Sequence, residues 1–288
     1  STRIEDNILI DNIIARNTSA LDQSLIIAIS GIPGVGKSSF IDVLGTYLHS
    51  LGKSIAVFSI DPSSEISHGS ILGDKTRMHH LAQLSNVFIR PSPSSNKLGG
   101  LGINTHKNIE LAQIAGYDII LIETVGVGQS ETLVRKLCDI FILLSMPSSG
   151  DELQGIKKGI MEIADFFIIN KADGDLAIAA EKTKKEILSA LEMTRSHVVP
   201  SQVRPFSSLS PEGVEKLWQD ILNYTDILKE NNQWYQNRQE QRKYWAIATF
   251  EAILQQHVLQ QYHTQIESIG EAAYHGEYVS LEAMLSTF

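Results

Sequence analysis

The chain of 288 residues carries 24 basic and 33 acidic side chains, for a formal net charge of −9, and is 43% hydrophobic and 20% charged. That supplies enough apolar material for a full α/β core in a soluble globular protein. The acidic balance excludes a phosphate-backbone binder, whose affinity would rest on clustered Lys and Arg, so no nucleic-acid partner is expected. The single cysteine, Cys138 in "LCDIFILLSM", permits no intrachain disulfide and reads as a buried core thiol suited to a reducing cytosol. No apolar stretch approaches the roughly 20 residues that cross a bilayer. The start, "STRIEDNILI", has acids where a secretory signal wants a basic segment, so a cytoplasmic protein without a membrane partner is expected.

Along the chain, residues 1–24 stand apart as an N-terminal segment. Short apolar runs then recur: "LIIAI" from 25, "SIAVFSI" from 54, "NVFIRP" from 86, "DIILIET" from 118, "DIFILLSM" from 139, "DFFIIN" from 165 and "HVVP" from 197. Between them, segments such as 104–116, 152–163 and 175–193 are long enough for crossover helices. Continuous rather than alternating apolar runs indicate strands covered on both faces, and helical crossovers indicate parallel pairing. The expectation for residues 25–228 is a doubly wound, mostly parallel α/β sheet. The stretches 61–75 and 91–104, rich in Pro, Gly and Ser, read as loops; after the carboxyl ends of strands, such loops line a ligand crevice.

Residues 229–288 change character, becoming Gln-rich with no strand signal. Ile247, Phe250, Leu254, Val258 and Tyr262 recur at spacings of three and four, which predicts a long amphipathic helix. Its apolar face either folds back on its own core or packs against a second copy of the chain.

"GIPGVGKS", from Gly31 to Ser38, follows the first strand and precedes a helix. In that setting Gly34, Val35 and Gly36 let successive backbone N–H groups face phosphate oxygens, and the helix N-terminus at Lys37, Ser38 and Ser39 adds partial positive charge. Lys37 would neutralise the β and γ phosphates and Ser38 would place its hydroxyl on Mg²⁺. The loop is thus predicted to hold a nucleotide polyphosphate.

"NKAD" at 170–173, after the strand "FFII", selects the base. In a phosphate-loop protein this resembles the guanine-specificity pattern: Asp173 would accept from the ring N–H and exocyclic amine, while Asn170 and Lys171 would brace the base and the phosphate loop. Adenine lacks that donor edge, and an unpaired carboxylate would cost roughly 1–3 kcal/mol. GTP and GDP are therefore the expected ligands. "SSL", comprising Ser207, Ser208 and Leu209, resembles the final base-contacting loop. "ETVGVGQSE" at 123–131 resembles the D-x-x-G switch with Glu123 in place of Asp: the carboxylate would hold Mg²⁺ through water, and the Gly126 N–H would sense the γ-phosphate. Val127 stands where Ras-like GTPases carry the water-orienting Gln, so unless Gln129 or another group substitutes, intrinsic hydrolysis should be slow.

The unbroken matches "DPSS" at 61, "GDKTRM" at 73, "RPSPSS" at 90, "LGG" at 98, "GYDIILIETVGVGQSE" at 116, "GDELQGIKKGI" at 150 and "NKADGD" at 170 closely resemble the MeaB/ArgK family of P-loop GTPases over about residues 25–225. The resemblance implies a homodimeric G-protein chaperone of an adenosylcobalamin-dependent acyl-CoA mutase, most often methylmalonyl-CoA mutase, that gates cofactor loading and protects the mutase. It also implies that Asp61 and Asp74 belong to a first switch and the Mg²⁺ shell, Glu123 to a second, and Asp151 and Lys157 to a third that senses the mutase. Beside that reading, Leu153, Ile156, Ile160 and Ile163 define one helical face, leaving Lys157 and Lys158 to solvent or a partner; Asp151 equally suits that helix's N-terminus.

Two competitors use the same fold: a small-molecule or protein kinase linked to transport, and a metallocentre-assembly GTPase. The latter class usually shows Cys or His clusters. His68, His79 and His80 do not form one, because adjacent histidines on a helix diverge by about 100° and no cysteine lies near.

Overall fold

The computed structural model describes residues 4–61, 77–93, 98–124, 131–147, 158–194, 202–207, 211–276 and 280. Its core is a sheet of seven parallel strands, β1 (Leu25–Gly31), β2 (Ile55–Asp61), β3 (Val87–Pro93), β4 (Ile119–Thr124), β5 (Ile140–Ser145), β6 (Phe166–Ile169) and β7 (Gln202–Pro205). The spatial order is β3-β2-β4-β1-β5-β6-β7, so the chain leaves β1 in one direction for β2 to β4 and in the other for β5 to β7. Ligand crevices open where the order reverses, beyond the carboxyl ends of the strands. The central strands are aliphatic on both faces because both faces are covered: Ile26, Ile27, Ala28 and Ile29 of β1 and Ile119 to Ile122 of β4 are all buried.

Helix α1 (Ile4–Arg16) precedes the sheet, and α2 (Lys37–Ser50) follows the glycine loop. Phe40, Ile41, Leu44 and Leu48 form the buried stripe of α2, at spacings of one, three and four residues, and join Ile27, Ile29 and Leu217 in the core. The remaining helices of the sheet domain are α3 (Leu98–Ile114), α4 (Glu131–Arg135), α5 (Lys158–Ile163), α6 (Ala177–Thr194) and α7 (Pro211–Glu230).

Residues 91–104, expected to be loop, mostly are not. Pro91 to Pro93 finish β3, and 98–104 open α3. The prolines are tolerated because β3 is an edge strand, with one side free of ladder partners. The glycines of α3 cost about 1 kcal/mol each relative to alanine, which is why their composition reads as loop. The run at 197–200 lies outside the described residues; the seventh strand is Gln202–Pro205, a short edge strand with too little apolar content to stand out.

At the opposite end of the sheet from the crevice, an Asp precedes each of three strands and accepts a backbone N–H from the neighbouring strand: Asp118 from Ser54, Asp139 from Ile26 and Asp165 from Phe141, each at 2.8 Å. These carboxylates satisfy polar groups at the sheet's buried margin. Asp165 also receives Tyr224 Oη at 2.7 Å and pairs with Arg135 at 3.0 Å. Asp139 is bound by both arms of Arg238, through Nε at 2.8 Å and Nη2 at 2.7 Å. Arg238 further donates to the carbonyls of Leu21 and Ser24 and to Asp22, and stacks over Trp234. Cys138 is buried, and burial pushes its thiol up to about 12.

The chain divides into two compact units, residues 1–241 and 242–288. Helix α8 (Gln233–Gln261) contributes its first nine residues to the former and the rest to the latter. In the second unit Ile247, Phe250, Ile253, Leu254 and Val258 are 39–62% exposed. Tyr262 falls just past the end of α8, at the start of α9 (His263–Tyr274), rather than within one continuous helix. Among the described residues, no helix is long and apolar enough to cross a membrane.

Candidate functional site

At the carboxyl end of β1 the backbone turns through Gly31, Gly34 and Gly36 into α2. Two of these positions accept no side chain. A Cβ on Gly31 would come within 2.5 Å of the Leu144 carbonyl, and one on Gly36, at φ 95°, within 2.6 Å of Asn170 Nδ2. The loop is therefore pressed against β5 and the end of β6, and its shape is fixed by neighbours as well as by its glycines. Val35 is fully buried, Gly34 and Ser39 are exposed, and Lys37 is 9% exposed.

Lys37 Nζ donates to the carbonyls of Gly31 at 2.8 Å and Ile32 at 3.0 Å. Burial lowers its pKa, Glu123 opposes that shift, and Arg77 adds to it. Ser38 Oγ donates to Glu123 Oε1 at 2.7 Å, and Ser59 Oγ faces Oε2 at 3.4 Å. Glu123 sits at the end of β4, in register with Ile29 of β1 and Ser59 of β2, and is only 5% exposed. A buried carboxylate and a hydroxyl thus converge at the first turn of a helix. An all-oxygen donor set of this kind fits Mg²⁺, which keeps most of its shell as water and phosphate oxygen. Asp61 closes β2, two residues beyond Ser59.

The predicted guanine-recognition residues meet the phosphate loop from the other side. Asn170 Nδ2 donates to the Val35 carbonyl at 2.8 Å, and Lys171 Nζ to the Gly34 carbonyl at 3.0 Å. Lys171 holds a left-handed backbone, φ 58°. For a residue with a Cβ that conformation costs about 1 kcal/mol or more, and it is tolerated where surroundings impose it. Asp173 is exposed, and Ser207 Oγ donates to its Oδ1 at 2.9 Å while Ala172 N–H reaches the Phe206 carbonyl at 3.0 Å. Lys37, Ser38, Glu123, Asn170 and Lys171 thus gather around one loop, with Asp173 and Ser207 beside it. Asp74, Gly126, Asp151, Lys157, Ser208 and Leu209 lie outside the described residues.

Two contributors escaped the sequence reading. Ser59 looks like a polar interruption of an apolar strand, and only its register with Glu123 gives it a task. Asp42 had no motif to mark it, and it accepts the Leu81 N–H on Oδ1 at 2.8 Å, tying the turn at Leu81 to α2. His80 takes that carboxylate as its partner, Nδ1 to Oδ2 at 2.8 Å.

Residues 2–263 match the family described as Methylmalonyl Co-A mutase-associated GTPase MeaB. The chain belongs to the MeaB family of GTPases. It is 44% identical over 240 residues to "Methylmalonic aciduria type A homolog, mitochondrial" of Mus musculus, covering 83% of this chain and 57% of that protein. It is 42% identical over 224 residues to "GTPase ArgK" of Escherichia coli (strain K12), covering 77% of this chain and 68% of that one. The chain thus spans little more than half the length of its mouse relative. Among solved structures, one titled LAO/AO transport system kinase superposes with a TM-score of 0.72 at 29% identity, covering 100% of this chain and 88% of the other. That likeness extends the MeaB-family assignment to the parallel sheet and its phosphate loop.

In a MeaB-family protein with this geometry, Asp173→Asn should weaken GTP binding by about tenfold or more, since one hydrogen-bond partner of the base is replaced by a donor facing donors. The same amide can donate to the 2-oxo group of xanthine, where the carboxylate could only accept, so xanthosine triphosphate should bind better. Titration calorimetry with both nucleotides checks this, and unchanged GTP affinity would refute the base assignment.

Proposed function

We propose that this chain binds and slowly hydrolyses GTP with Mg²⁺, and that it works as a switch on an adenosylcobalamin-dependent acyl-CoA mutase, with methylmalonyl-CoA mutase as the first candidate. The observation that carries the nucleotide reading is the pair of hydrogen bonds from Asn170 and Lys171 to the phosphate loop, which ties the base-selecting segment to the phosphate-binding one. When bound, Mg²⁺ would neutralise the phosphate tail. This chain's own residues do the rest: Lys37 supplies a fixed ammonium, Ser38 and Glu123 orient the metal's shell, with Asp61 and Asp74 completing it, and Asp173 with Ser207, Ser208 and Leu209 holds guanine. Gly126 would sense the γ-phosphate, and Asp151 and Lys157 would read the mutase.

The family description and the mouse relative's name support the mutase as partner. The role is to gate cofactor loading and protect the mutase, in the cytoplasm and as a homodimer. The exposed apolar residues Ile247, Phe250, Ile253, Leu254 and Val258 support association through the C-terminal helices.

The test is GTP hydrolysis measured alone and with methylmalonyl-CoA mutase. Turnover should rise about tenfold or more on adding the mutase, in line with a coupling of 1–3 kcal/mol between sites, and the two proteins should co-elute on gel filtration. The structural likeness to a protein titled a transport system kinase favours one second reading. A kinase would instead transfer the γ-phosphoryl group to an acceptor with no mutase present.

A further inference from the structure

Both oxygens of the Glu123 carboxylate are engaged by hydroxyls. Ser38, in the first turn of α2, donates to Oε1 at 2.7 Å, and Ser59 of β2 donates to Oε2 at 3.4 Å. β4 lies between β1 and β2, with Glu123 in register with Ile29 on one flank and Ser59 on the other. Side chains in register on neighbouring strands share a face of the sheet at about 5 Å. Of these two flanking residues, Ser59 is the one with a polar side chain.

Ser59 is 2% exposed, whereas Ile55 and Val57, which share its face of β2, are aliphatic and fully buried. A hydroxyl buried in such a strand destabilises the fold unless it is paired, and Glu123 is the pairing that the register provides. Glu123 also needs a holder more than an aspartate would. Its extra methylene adds a torsion, and the terminal torsion of a glutamate is broad and two-fold, so a single hydrogen bond leaves the second oxygen free to swing. A donor on each oxygen fixes the carboxylate plane. The Ser38 hydroxyl can give its proton to Oε1 and still turn a lone pair towards a cation. A hard cation that demands near-octahedral geometry gains from oxygens set in place beforehand, and the groups behind its nearest ligands do the setting.

We propose that Ser59 is a positioning residue for Mg²⁺: it acts through Glu123 rather than on the metal itself, holding Oε2 so that Oε1 and Ser38 keep the geometry the metal's shell requires. The inference rests on the nucleotide reading above and deepens it, because it gives β2 a part in metal affinity.

The experiment measures guanylyl imidodiphosphate binding to the full chain by titration calorimetry, once with Mg²⁺ and once with EDTA, for the unsubstituted protein, Ser59→Ala, Glu123→Gln and the double variant. In Ser59→Ala the dissociation constant with Mg²⁺ should rise about fivefold, less than the loss of a short hydrogen bond to a charged group because this one is long. With EDTA it should stay within about 1.5-fold, since the carboxylate then has no metal to serve, whereas a purely structural role would shift both conditions alike. In the Glu123→Gln background the alanine should add less than about twofold, because residues acting through one carboxylate are not additive. No change with Mg²⁺, equal loss in both conditions, or a full further loss in the double variant overturns the proposal. Failure of the unsubstituted chain to bind the probe would instead overturn the GTP reading, and binding that Mg²⁺ does not strengthen would overturn the metal site, so the failures are distinct. Should the alanine variant lose its circular dichroism spectrum, Ser59→Cys, which keeps the shape and donates weakly, decides alone: a Mg²⁺-selective loss supports the contact and its absence refutes it.

Discussion

Lys37→Ala should lower GTP hydrolysis by about a hundredfold or more, the usual consequence of removing one fixed electrostatic group from a charge-developing transition state, while the protein stays folded. The ammonium is buried and its proton affinity is already reduced by burial, so it is held charged against solvent preference and is compensated by Glu123. What its removal leaves behind is modest. The Gly31 and Ile32 carbonyls each lose a donor, but Ile32 is only partly buried and Gly34 is exposed, so water can reach the loop. The stability cost should be about 1–2 kcal/mol, too small to unfold the sheet. Nucleotide turnover and far-ultraviolet circular dichroism, read on the same sample, check the result. A collapse of the dichroism would show that the lysine braces the loop rather than serving the phosphates.

Arg238→Ala makes the opposite prediction, a stability effect without a site effect. Arg238 is 5% exposed and grips Asp139, also 5% exposed, through two hydrogen bonds. Removing it takes two charge-assisted hydrogen bonds from a buried carboxylate that keeps the Ile26 N–H, and breaking such a pair from one side typically costs about 3–5 kcal/mol. The same change takes one donor from the Leu21 and Ser24 carbonyls and one stacked cation from Trp234. Urea unfolding should show a lowered midpoint at unchanged slope. Ile26 and Gly31 lie at opposite ends of β1, so the dissociation constant for GTP in the folded variant should not move. A shift in affinity with no loss of stability would contradict this division of labour.

These two residues also mark what a sequence reader can see. Lys37 announces itself because the phosphate loop is a local object: its glycines, lysine and serine are consecutive, and a strand before and a helix after are all the context it needs. The strands were legible for a similar reason, since burial on both faces forces unbroken aliphatic runs such as Ile26 to Ile29. Arg238 carries no such mark. Its partners Asp22, Ser24 and Asp139 are 99 to 216 residues away in the chain, and an arginine in a Gln-rich helix that also carries Arg242 and Lys243 looks like a solvated charge. The loop reading of 91–104 failed because composition outvoted position: two prolines fit an edge strand, and three glycines fit the start of a helix, once neither needs a full set of partners.

By itself, the sequence determined the parallel α/β class, the phosphate loop and the guanine-type N-K-x-D segment, because each depends on residues adjacent in the chain. Only the tertiary structure decided that Asn170 and Lys171 brace that loop, that Ser59 and Ser38 share Glu123, and that Asp42 ties the turn at Leu81 to α2. Those contacts join distant segments through strand register and helix packing, and a single chain of letters records neither until it has folded.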